Sequence, residues 1–160
     1  MIELASRFTA NFEAGYGYPP DDNTVVRATP EIGRLAVAAL SAQGVTGDLL
    51  DFYTQIEEVS LPDLGNGIFI HSAESVAGGI SGNQPTEVVG ALNERITVFG
   101  SDGGGALIAL AASNGRILKL HGGAWAGSQY DVEDSGVDDI APSLWVFLEQ
   151  VRAELSGAIV

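Results

Sequence analysis

The stretch Ile96-Thr97-Val98-Phe99-Gly100-Ser101-Asp102-Gly103-Gly104-Gly105-Ala106-Leu107-Ile108-Ala109-Leu110 decides the fold, together with its continuation through Asn114-Gly115 to Arg116-Ile117-Leu118-Lys119-Leu120-His121. Ile96 to Phe99 is rich in β-branched and aromatic residues and predicts a strand. Gly100 to Gly105 reads as a turn, and Ala106 to Leu110 as the next strand. Asn114-Gly115 is a hairpin signal, because a type I′ turn needs positive φ at both central residues. Arg116 to His121 is then the return strand, and the whole reads as an antiparallel meander.

Upstream, Ile68-Phe69-Ile70-His71 predicts a further strand, entered through Gly65-Asn66-Gly67. Ser72 can cap a single helical turn through Glu74 and Val76, and Gly78 to Pro85 reads as a polar loop. Before it the period changes from two to about 3.6. Thr29 can cap a helix, Pro30 suits its first position and Glu31 complements its dipole. Ile32, Leu35, Ala36, Ala39 and Leu40 make its expected apolar face, and Gly44 ends it. Thr46 with Asp48 starts a second helix, expected to turn Leu49, Phe52, Tyr53 and Ile56 inward and to finish before Pro62. Residues 2–14 allow a short helix on Ala5, Phe8 and Phe12, followed by a loop from Gly15 to Asp22. Downstream, Pro142 to Leu155 predicts a closing helix with Leu144, Phe147, Leu148, Val151 and Leu155 inward, and Trp145 in the core or at its rim. Helices, a run of antiparallel strands and a closing helix define an α+β fold: an antiparallel β-sheet meander packed against N-terminal helices and a C-terminal helix.

The 160 residues suit one domain, 1–160, and 46% apolar residues supply its core. The absence of cysteine excludes disulfides and thiolate metal sites. Met1-Ile2-Glu3-Leu4 lacks the basic and apolar regions of a secretory signal, and no apolar run reaches the length of a membrane span, so a cytoplasmic location is expected. Seven basic residues face 21 acidic ones, a net charge of −14. That disfavours nucleic acid and anionic membranes as partners and favours a protein with a basic surface.

Several motifs fail on their chemistry. Gly100 to Gly105 lacks the following helix and lysine of a phosphate-binding loop. His121-Gly122-Gly123-Ala124-Trp125 is similar to the oxyanion segment of esterases, but the chain has no Gly-x-Ser-x-Gly. Asp131-Val132-Glu133-Asp134-Ser135-Gly136 has the start of a calcium loop, but Pro142 stands where its bidentate Glu must be, leaving a solvated acidic loop from Asp131 to Asp139. His71 and His121 each end a strand without metal-ligand spacing. No catalytic residue, metal or cofactor is expected.

Five fragments carry a family resemblance by their order and spacing. They are Asp51-Phe52-Tyr53, Gly67-Ile68-Phe69-Ile70-His71-Ser72-Ala73-Glu74, Phe99 to Gly105, Asn114 to Leu120, and Ser143-Leu144-Trp145-Val146-Phe147-Leu148. Together they resemble the SUKH superfamily over about residues 30–155, with residues 1–28 outside it as an atypical N-terminal extension. The resemblance implies an antiparallel sheet on helices and a noncatalytic role. Bacterial members are largely immunity proteins that neutralise polymorphic toxins, and fungal members are interaction hubs in cell-wall regulation. The expected contact surface is Trp125 and Tyr130 with Asp131, Glu133, Asp134, Asp138 and Asp139. Two rival readings are a regulatory scaffold of the same fold and a small-molecule or carbohydrate-binding module with a pocket lined by Trp125, Tyr130 and His121.

Overall fold

The structure, a computed structural model, describes residues 1–159. Helix α1 (Ile2–Tyr16) buries Ala5, Phe8 and Phe12 and ends where Gly17 takes a left-handed φ of 81°. Strand β1 (Thr24–Arg27) follows, so the N-terminal extension contributes both a core helix and an edge strand. Helix α2 (Pro30–Ala42) is capped by the Thr29 hydroxyl, which accepts from the Ile32 N–H at 3.2 Å. Helix α3 (Asp48–Tyr53) is short, and strand β2 (Ile56–Leu61) begins three residues after it.

This corrects the second predicted helix, which was expected to include Ile56. Val59 and Leu61 alternate inward on a strand held between β1 and strand β3 (Ile68–Ile70), and that pairing overrides any helical continuation. Helix α4 (Ala73–Gly78) is capped by Ser72, as its sequence predicts, and a single π-type turn follows at 79–83. The expected polar loop from Gly78 to Pro85 is thus helical as far as Asn83, and just beyond it the chain forms strand β4 (Glu87–Gly90). The meander comprises β5 (Glu94–Asp102), β6 (Leu107–Ala111) and β7 (Ile117–Leu120). Strand β5 runs on to Asp102, so the first turn is shorter than expected. Two further short strands, β8 (Ala124–Ala126) and β9 (Gln129–Val132), precede β10 (Val137–Ala141) and the last helix, α5 (Leu144–Gly157).

The Asn114-Gly115 turn joins the strands foreseen but is not type I′. Of the two residues, only Gly115 has positive φ, 70°, and no non-glycine residue has it among the described residues. Asn114 instead accepts the Arg116 N–H at 3.0 Å through its side chain, which lets a longer loop close without a left-handed Asn.

The ten strands form one sheet around β5. One edge of β5 pairs with β6, and β7 and β10 follow outward. The other edge is shared: residues 100–102 pair with β3, while Glu94 and Arg95 pair with β4. Strand β4 then leads to β9 and β8, through the sole parallel pairing among the described residues, β4 with β9. An irregularity in the register between Val98 and Gly100 marks the crossover.

Both faces of the central strands are buried. Phe99, Ile108 and Ile117 point into a main core with Phe8, Leu40, Leu49, Tyr53, Leu144 and Leu155. Their neighbours Val98, Ala109 and Leu118 point the other way, into a smaller core closed by Val88, Tyr130 and Val132. The inward residues expected on α5 are all buried, whereas Trp145 is exposed. On α2 the expectation needs correcting. Gly33, Ala36 and Leu40 are buried, but Leu35 is 64% exposed. A Cβ on Gly33 would stand 2.8 Å from the Thr54 carbonyl, so the helix seats its one glycine against the C-terminal end of α3 and turns Leu35 outward.

Candidate functional site

The expected contact residues gather around the β8–β9 hairpin. After β7 the chain turns at Gly122 (φ 69°) and passes through Gly123 into β8 at Ala124, directly against β9. A Cβ at Gly123 would stand 2.6 Å from both the Asp131 carbonyl and the Tyr130 ring, so only glycine permits this approach. Trp125 and Tyr130 are opposite one another across the hairpin. Their surroundings differ sharply. Trp125 is 51% exposed, with its indole N–H donating to the Gly127 carbonyl at 2.8 Å. Tyr130 is only 8% exposed, and its hydroxyl accepts the Gly123 N–H at 3.0 Å. Tyr130 is therefore a core residue that supports the hairpin, not a surface contact. All three residues of β8 are exposed, and among the described residues the strand pairs only with β9.

The acidic segment is not one loop. Asp131 lies on β9, and Glu133 and Asp134 lead into a 3-10 turn, whereas Asp138 and Asp139 lie on β10. The last two are engaged. Asp139 is ion-paired with Arg116, and Asp138 stands 3.2 Å from His121 Nε2. Asp131, Glu133 and Asp134 are exposed and have no ion-pair partner among the described residues. They border two shallow depressions at the base of the hairpin, of about 450 and 570 Å³. His121 lines the smaller one, but neither Trp125 nor Tyr130 lines either, so the pocket expected for a small-molecule module is not formed by those three residues together. No group of three or more His, Asp or Glu side chains arranged to hold a metal occurs among the described residues.

Away from the hairpin, two polar groups fix the sheet. His71, the residue after β3, is half-buried, with Nε2 3.1 Å from Ser101 Oγ on β5, and burial lowers its pKa. The Tyr53 hydroxyl donates to the His71 carbonyl, and burial raises the phenol well above its usual range. Asp102 ties three segments together. It accepts the Gly104 and Ala106 N–H groups at 2.9 Å each, the Asn66 amide at 3.2 Å and the Lys119 ammonium at 2.7 Å. Burial alone would raise this carboxyl, but the Lys119 hydrogen bond, the Ala106 and Asn66 donors and the Lys119 charge outweigh it and bring it down to about 2. The Gly-rich motif, read as a turn, is thus organised by its one carboxylate.

Sequence reasoning missed a second surface feature. A groove of about 480 Å³ runs between α2 and α4, floored by Ile32, Leu35, Ala39 and Ala77, with Glu57 and Glu74 at its margin. The signal was present in the α2 pattern, whose apolar arc is wider than its three buried residues need. No helix is long and apolar enough to cross a membrane among the described residues. No protein-family model, no curated protein and no solved structure matches this chain.

Proposed function

We propose that the chain is a noncatalytic, cytoplasmic protein-binding module of the SUKH type, an immunity protein that holds and neutralises a basic toxin. The observation that carries this reading is Trp125: a half-exposed tryptophan on an edge strand, in a hairpin whose other strand leads into Asp131, Glu133 and Asp134, three exposed carboxylates without ion-pair partners among the described residues. Tryptophan is a favoured interface anchor, because it offers a large apolar face at little entropic cost. The surrounding acidity would steer a basic partner and raise its association rate. An edge strand can also accept a partner strand through its free backbone groups.

The test is co-expression with each toxin encoded beside the gene, scored by growth and by co-purification. Neutralisation by the native chain and its loss in Trp125→Ala support the reading. Failure to bind or neutralise any of them overturns it and leaves the scaffold reading of the same fold.

A further inference from the structure

We propose that the groove between α2 and α4 is a second docking site, which takes a protein segment presenting a Lys or Arg next to a large aliphatic side chain. Its volume, about 480 Å³, is similar to that of the depressions beside the hairpin, and what sets it apart is its mainly apolar lining. Its floor is apolar, and Leu35, 64% exposed, is the most exposed large apolar side chain of the described residues. Lone exposed leucines are ordinary, but this one continues an apolar surface through Ile32, Ala39 and Ala77.

The polar groups in the groove define the ligand. The Tyr53 hydroxyl is already donated to the His71 carbonyl, and the Ser72 hydroxyl serves the start of α4. Glu57 and Glu74 are the acidic groups that remain. Neither is ion-paired among the described residues, and a carboxylate can only accept. An apolar trough with two acceptor-only anions at its margin is complementary to a cationic head on an aliphatic stem, which Lys and Arg provide. A second copy of this chain suits the groove poorly. Each copy carries a net charge of −14, so self-docking would bring acidic margins against an acidic surface. The occupant is therefore a basic, partly apolar segment of a different protein.

The probe is a fluorescein-labelled helical peptide of Leu, Ala and Arg, followed by anisotropy against the full chain. Control peptides replace Arg by Glu or Leu by Ala. The expected result is saturable binding that weakens about tenfold in Leu35→Ser, the loss of roughly 1.4 kcal/mol of apolar contact. Glu57→Gln with Glu74→Gln weakens it by a similar factor and flattens its salt dependence. Leu35 and Glu74 are exposed and Glu57 is half-buried, and circular dichroism verifies the fold of each variant. Trp125→Ala leaves the affinity unchanged, which separates this site from the hairpin surface whatever becomes of the immunity reading. Equal binding in Leu35→Ser, equal binding of the Glu or Ala control peptide, or loss of binding in Trp125→Ala overturns the proposal. So does a Leu35-dependent dimer in sedimentation without peptide, which would mean that a second copy covers the groove.

Discussion

The two faces of β5, β6 and β7 are made from alternate residues of the same strands but are covered by different means. Helices close the front, where Phe99 packs edge-to-face on Phe147 with ring centroids 6.1 Å apart. Short strands hinged on glycine close the back, through Val88, Tyr130 and Val132. The front cover is built from long amphipathic elements that bury large side chains. The back cover consists of three- and four-residue strands whose outer surface stays in water. Stability is thus concentrated on one side and the candidate contact surface is displayed on the other, and mutation can separate the two.

The largest effect is expected at the front. Phe99→Ala should cost about 4 kcal/mol, because it opens a cavity that the surrounding helices cannot fill. Urea denaturation measures it, and a cost below that of the changes that follow would erase the distinction between the faces. At the junction of strands, Asp102→Ala should cost about 2 kcal/mol through lost hydrogen bonds and an unpaired Lys119. Asp102 also gives the fold a pH signature. Its folded-state pKa, about 2, lies below the ordinary value, so its contribution is present above about pH 4 and is lost as pH falls toward 2. The difference in urea midpoint between the native chain and Asp102→Asn should shrink over that window; a constant difference would mean the carboxylate charge is irrelevant. On the back, Tyr130→Phe removes only the acceptor for the Gly123 N–H and should cost about 1 kcal/mol. Trp125→Ala, directly opposite, should change stability by less than about 0.5 kcal/mol while abolishing partner binding. A large stability loss there would make Trp125 part of the back core.

The same contrast explains what the sequence reveals. Helices α2 and α5 announce themselves by caps at Thr29 and Ser143 and by spaced apolar residues, and the central meander by its β-rich runs and glycine turns. Strand β4 is hidden because its parallel partner, β9, lies some forty residues away and leaves no local mark. Strand β2 is hidden because Ile56 also continues the pattern of α3, and only pairing with β1 and β3 decides the matter. At the site, Trp125 and the carboxylates are legible from composition. That Tyr130 is buried and Asp138 and Asp139 are engaged follows from register, which the sequence does not display. Leu35 was misplaced because the close seating of Gly33 on α3, not the width of the apolar arc, sets the rotation of α2.

Strand β8 is also a hazard in its own right. Ala124, Trp125 and Ala126 place neither a charge nor a proline along an unsealed edge, so one copy can template against another. What holds copies apart in dilute neutral solution is mutual repulsion between molecules of charge −14. Colloidal stability is therefore borrowed from the carboxylates, and it should fail, with clouding and strand-rich precipitate, when acid neutralises them or concentrated salt screens them.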